Sequence, residues 1–239
     1  MVRRLVFVLC ATALTLAIAC GRQVTPNPPG GDTPGSGLNP GFMQVKFRTA
    51  APMDFTNVRY VIAFNTSGTG GTPYPLYCNA SNNWRDCYFQ FIVGGNGTSA
   101  SVQLIQFFRQ PGPNNTVSIS VQNLPFTPQD VILTTNSNGQ QTEFTLTFNR
   151  ALLFGLTPSN ATAAPTTAAQ VNWQINFFTT DTSGTILDTP GFNGANDVTF
   201  SWSVDVTQNF DRQFTSPPGA TQAPNQAAQI TSGEFINNP

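Results

Sequence analysis

Histidine is absent from the 239-residue chain, and charge of either sign is scarce, at 9% of residues. Without imidazole there is no Ser-His-Asp triad, no Cys-His dyad, no histidine metal ligand and no side chain whose ordinary pKa lies near neutrality. Lysine occurs once, as Lys46, and glutamate only at Glu143 and Glu234. Ten Lys and Arg face eleven Asp and Glu, for a formal net charge of −1. A nucleic-acid binder needs a basic surplus to displace counterions from phosphates, and this chain has none. The four cysteines form no CxxC spacing and no zinc-ligand set. Nucleophile-elbow, P-loop, Rossmann, HExxH and EF-hand patterns are missing as well. What is present is apolar: 20 Phe and 39% hydrophobic residues, enough to build a core and too much for a disordered chain.

The N-terminus carries an address. Arg3 and Arg4 precede an apolar run from Leu5 to Ala19, which at about 15 residues is too short to cross a hydrocarbon core of about 30 Å. It has the layout of a secretory signal, with a basic start and a short apolar centre. The run ends in Leu16-Ala17-Ile18-Ala19-Cys20-Gly21, which resembles the lipobox of bacterial lipoproteins. That resemblance implies cleavage before Cys20 and acylation of Cys20 as the new first residue. Gly21 after the cysteine, rather than an acidic residue, implies the outer membrane where the cell has one. Ordinary secretion with cleavage near Ala19 is the alternative. Losing residues 1–19 removes two of the ten basic side chains and leaves eight against eleven acidic ones, a net of −3. From Gly21 to Gly41 the chain is rich in Pro and Gly and nearly free of large apolar groups. It cannot offset its ordering entropy by burial and reads as a flexible tether, about 25 Å long on average.

Cys78 and Cys87 bracket Asn-Ala-Ser-Asn-Asn-Trp-Arg-Asp. In an oxidising compartment such a pair is expected to close a disulfide around a short polar loop, stabilising by roughly 2–3 kcal/mol. Trp84 at the tip reads either as a ligand-stacking platform or as a lid on the loop's own base; Tyr74 and Tyr77 precede it.

Past the tether the apolar pattern has period two. Val58, Tyr60, Ile62 and Phe64 alternate with Arg59, Val61, Ala63 and Asn65; Val117, Ile119 and Val121 with Ser118, Ser120 and Gln122; Phe144, Leu146 and Phe148 with Thr145, Thr147 and Asn149. Val171, Trp173, Ile175 and Phe177 alternate with Asn172, Gln174, Asn176 and Phe178, and Phe200, Trp202, Val204 and Val206 with Ser201, Ser203, Asp205 and Thr207. Strands with one face in a core and one face wet produce this pattern. More strands are expected near 43–47, 88–93, 101–109 and 130–134. Asn138-Gly139 and Ser183-Gly184 mark the clearest hairpins. No long stretch shows a helical period. The expected fold is all-β: one antiparallel two-sheet sandwich over residues 42–212, immunoglobulin-like in general architecture, because the strands after 171 are too few for a core of their own. Residues 161–169 read as a crossover, and the Pro-, Gln- and Asn-rich segment 213–239 as an irregular tail.

Little chemistry is legible. Asp181, Asp188 and Asp197, with Asn193 and Asn196, form the densest oxygen cluster. They read as weak calcium candidates, or as Asx turns capping hairpins. Trp173 and Trp202 fall in phase with the core. Phe107-Phe108 and Phe177-Phe178 each place one ring on the opposite face, toward another layer or an exposed contact patch. The outward Ser, Thr, Asn and Gln make a neutral hydrogen-bonding surface suited to glycans or neighbouring envelope proteins. The expectation is therefore a non-enzymatic, lipid-anchored envelope protein, without cofactor, that works by structure or binding. A surface carbohydrate-binding module using Tyr74, Tyr77 or Trp84 is one alternative. A secreted glycoside hydrolase with an Asp pair is the other.

Overall fold

The structure, a computed structural model, describes residues 37–68, 71–73, 87–96, 99–111, 117–136, 141–154, 171–197 and 200–239. Among the described residues twelve strands run in chain order: β1 (Phe42–Thr49), β2 (Val58–Asn65), β3 (Phe89–Asn96), β4 (Ser99–Pro111), β5 (Val117–Leu124), β6 (Val131–Thr135), β7 (Glu143–Asn149), β8 (Asn172–Asp181), β9 (Ile186–Asp188), β10 (Trp202–Asp205), β11 (Phe210–Thr215) and β12 (Ile230–Asn238). Among the described residues the helical segments are 3-10 turns, such as Arg150–Phe154. The strands form a five-stranded sheet, ordered β11-β12-β1-β7-β6, and a seven-stranded sheet, ordered β10-β8-β2-β3-β4-β5, with β9 beside β8. Neighbouring strands in both sheets pair antiparallel. The two sheets pack together as a sandwich. The fold is all-β.

Period two decides which side chains meet between the sheets. Met43, Val45 and Phe47 of β1 and Phe144, Leu146 and Phe148 of β7 face Tyr60, Ile62 and Phe64 of β2 and Trp173, Ile175 and Phe177 of β8. Phe47, Phe64, Phe144, Phe148, Trp173 and Phe177 are each fully buried. Phe47 and Phe144 stack at 5.3 Å, while other rings meet edge-on, as aromatic quadrupoles also favour: Phe64 lies 5.9 Å from Phe148 and 6.2 Å from Trp173, and Phe177 5.2 Å from Trp202. Trp173 and Trp202 are core residues, at 0% and 3% exposure. The two hairpins marked by turn dipeptides also form, as β6–β7 and β8–β9; Gly184 takes the positive φ of the second turn, at 90°.

The C-terminal segment differs from its expectation. Residues 213–239 are not an irregular tail: they include the end of β11 and all of β12, and β12 lies inside the five-stranded sheet between β11 and β1. The sandwich therefore extends to Asn238, well past 212. Register explains why the alternation test missed it. The β12 residues opposite Val45, Phe47 and Met43 are Phe235, Gly233 and Asn237, so between Ile230, past a register shift, and the strand's end its inward face offers one large apolar group, Phe235. Both odd positions have structural reasons. A Cβ on Gly233 would stand 2.4 Å from Phe214 Cε1, so the glycine makes room for that ring. Asn237 Nδ2 donates to the carbonyls of Val206 and Gln208, at 3.0 and 2.7 Å, holding the β10–β11 turn.

Just before β12, three buried polar groups capture the backbone. Tyr60 Oη donates to Ala227 O (3.0 Å) and accepts from Asp54 N–H (3.0 Å). Thr179 Oγ1 donates to Ala228 O (2.7 Å), and Asp188 Oδ2 accepts from Ile230 N–H (2.7 Å). Burial drives the Tyr60 phenol pKa well above its ordinary value, so it stays a neutral donor.

Because the Phe214 ring fills the space where a side chain on Gly233 would go, Gly233→Ala is expected to destabilise the fold by about 1–3 kcal/mol through overpacking. Urea unfolding of the variant beside wild type measures this, and an unchanged midpoint would contradict it.

Candidate functional site: a groove on the outer face of the larger sheet

Side chains of β2, β3, β4 and β8 that point away from the core do not form the wet face that alternation predicts. Across the strands, Val61 stands opposite Phe178 and Ile92, and Ile92 opposite Gln103. In the adjoining row Ala63 stands opposite Asn176 and Gln90, and Gln90 opposite Ile105. Phe107 faces Val121. The result is a checkerboard of aliphatic and amide groups. A second hydrophobic cluster, separate from the core, joins Val61, Ala63, Cys87, Phe107 and Phe178, with Ile92, Ile105 and Ile186 packed against it. Thus the outer member of each Phe-Phe pair, Phe107 and Phe178, is buried, at 6% and 0% exposure, rather than displayed.

Beside this cluster lies a cavity of about 300 Å³, floored by Val61, Ile92, Ile105 and Phe107 and edged by Gln90, Gln103, Thr180 and the turn 181–184. A second, of about 420 Å³, adjoins it toward the β3–β4 turn; Arg59, Ile92 and Gln103 line both. Together they make one trough crossing the strands. Arg59 sits where the two meet. Its Nη1 donates to the carbonyls of Phe55 (2.7 Å), Thr56 (3.2 Å) and Val58 (3.2 Å), which fixes the guanidinium. Gly94 is what lets it lie there, because a Cβ at that position would fall 2.5 Å from Arg59 Cδ. Among the described residues, two amide nitrogens, Gln90 Nε2 and Asn176 Nδ2, are buried without a hydrogen-bond partner.

Asp181 closes one end of the trough as the cap of the β8–β9 turn. Its Oδ1 accepts from Ser183 Oγ (2.6 Å), Ser183 N–H (2.8 Å) and Thr185 N–H (2.8 Å). The Ser183 hydroxyl foremost, with the backbone of Thr185, holds its carboxyl below the usual range. Asp188 is buried at 3% exposure on the β12 backbone. Asp197 donates its N–H to Gly194 O (3.0 Å), and its carbonyl accepts from Thr189 Oγ1 (2.8 Å). The structure therefore does not assemble Asp181, Asp188 and Asp197 into one calcium cage. Among the described residues no three Cys, Asp or Glu side chains stand together as a metal-ligand set.

Cys87 is fully buried in the outer cluster. Cys20, Tyr74, Tyr77, Cys78 and Trp84 lie outside the described residues, and with them the expected acylation site, the partner half of the disulfide and the aromatic platform.

A carboxylate pair not singled out in the sequence occupies the opposite outer face. Asp211 of β11 and Glu234 of β12 hydrogen-bond to each other, and partial burial together with the Glu234 charge pushes the Asp211 pKa up. Glu234 also pairs with Lys46 and accepts from Gln213 Nε2 (2.8 Å). Carboxyl groups in hydrogen-bond contact are closer than the roughly 5 Å or more that separates the acid and nucleophile or base of a glycosidase.

Comparison with known protein families, with curated proteins and with solved structures gives no match for the chain. What the protein does must therefore be argued from its own residues.

Proposed function

We propose that the chain is an exported bacterial envelope protein, anchored by lipid on Cys20, whose sandwich acts by binding rather than by catalysis. The trough over Arg59, Ile92 and Gln103 carries this reading. It is preformed, partly apolar and fringed by uncharged hydrogen-bonding groups, as ligand sites commonly are. Its one carboxylate, Asp181, already serves a turn through three hydrogen bonds on Oδ1, so no acid–base pair faces the trough among the described residues. Candidate ligands are a glycan or a neighbouring envelope protein.

We also pair Cys78 with Cys87. The burial of Cys87 against Phe107 and Phe178 supports this, since it would fix one end of the loop on the sheet. The immunoglobulin likeness we keep to general layering, two antiparallel sheets face to face; the five- and seven-stranded sheets here carry more strands than an immunoglobulin domain.

Two measurements test the proposal. Several acyl chains contribute about 0.8 kcal/mol per buried CH₂, so wild type should partition into the detergent phase and Cys20→Ala into the aqueous phase or remain an uncleaved precursor. Equal partitioning would refute the anchor. For the trough, a photo-crosslinking amino acid placed at position 103 in intact cells should yield adducts that the same group at Thr134, on the other sheet's outer face, does not. Equal labelling at the two positions would refute the binding surface.

A further inference from the structure

The trough holds two features that folding does not require. Among the described residues, Gln90 Nε2 is buried without an acceptor, and so, outside the cavity lining, is Asn176 Nδ2 on the other side of Ala63. Buried amide donors are ordinarily satisfied, and Gln90 lines the cavity directly. The trough also contains one fixed cation and one fixed anion, Arg59 and Asp181, so its charge sums to zero.

We propose that this trough binds a neutral oligosaccharide, lying across β8, β2, β3 and β4 from the β8–β9 turn to the β3–β4 turn. The inference rests on the reading of the trough as a ligand surface. A pyranose ring has an apolar C–H face and a rim of hydroxyls, each both donor and acceptor. The floor of Val61, Ile92 and Ile105 meets the first, and the exposed amide of Gln103, which both donates and accepts and lines both cavities, meets the second. Other ligand classes fit less well. A peptide adding as a strand needs free backbone groups, but the floor is a sheet face whose ladders are already paired from β8 through β4. An alkyl chain would leave the amides without acceptors. A polyanionic glycan meets no net positive charge. The two adjoining cavities, of about 300 and 420 Å³, have room for more than one sugar unit.

The test titrates the mature chain, in detergent micelles, with cellohexaose, xylohexaose, mannohexaose and hexagalacturonate by calorimetry. The expected result is saturable binding of at least one neutral hexasaccharide, weakened at least tenfold by Gln103→Ala and unchanged by Thr134→Ala. Gln103 and Thr134 are both exposed, so both variants should fold, and circular dichroism confirms it. Binding of hexagalacturonate alone, lost in Gln103→Ala, would overturn the neutral-sugar assignment while leaving the trough a ligand site. Binding that Gln103→Ala does not weaken would overturn the assignment of the site. Silence toward all four sugars would overturn the saccharide class. The crosslinking comparison at positions 103 and 134 then separates that failure from failure of the binding reading itself.

Discussion

Deleting residues 229–239 is expected to abolish the cooperative fold. The segment reads like a dispensable tail, yet β12 pairs with β1 over Phe42–Thr49 and with β11 over Phe210–Thr215. Its removal would leave β11 without a partner in its sheet and give β1 a bare edge in the middle of the sandwich. Phe235, fully buried, would vacate contacts with Phe64, Trp202 and Phe210. Asp188 would lose the Ile230 N–H inside the protein, and an unpaired buried polar group alone costs about 1–3 kcal/mol. Added to the loss of two strand ladders and a fully buried ring, this is comparable with the roughly 5–15 kcal/mol of stability typical of a domain. The truncated chain should therefore show no sigmoidal urea transition and should be cut rapidly by protease under conditions that spare wild type. A truncated protein melting within a few degrees of wild type would mean that the five-stranded sheet is not closed by β12.

The same segment shows what the sequence could and could not reveal. Strands whose inward residues were all large and apolar, such as β2, β7 and β8, were legible, because period two needs only a contrast between faces. β12 was not, because Gly233 and Asn237 stand at inward positions for reasons of shape and hydrogen bonding that depend on residues far away in the chain, Phe214 and Val206. The trough was half legible. Arg59 fell on the outward side of β2, and Phe178 on the outward side of β8, but pattern alone assigned that face to water. The available signal was Val61 and Ala63: two apolar residues at outward positions of one strand mean that its second face is covered too. Which amides would share a row with them depended on register between strands, and register is invisible in a single sequence. Two of the calcium candidates are kept apart for a related reason. Asp181 and Asp188 lie seven residues apart along the chain, but one caps a turn and the other points into the core.

Phe64→Ala is expected to be the most damaging single substitution, lowering stability by about 3–5 kcal/mol. Phe64 lies on the central strand β2 and touches rings from both sheets: Phe91 at 6.1 Å and Trp173 at 6.2 Å in its own, Phe148 at 5.9 Å and Phe235 at 6.4 Å across the interface. The four rings around it, Phe91, Phe148, Trp173 and Phe235, are all fully buried, which limits how far they can move to refill the volume. The cavity term should therefore be felt nearly in full. For a domain of this size a loss of that order lowers the melting temperature by roughly 6–20 °C. Val121→Ser supplies the contrast. Val121 is 56% exposed on the edge strand β5, and its change should stay within about 0.5 kcal/mol. Equal effects from the two substitutions would mean that the sheets do not enclose one common core at Phe64. The predicted inequality follows from β2 being covered by five strands on its inner face, and it is measurable by thermal denaturation of the two variants beside wild type.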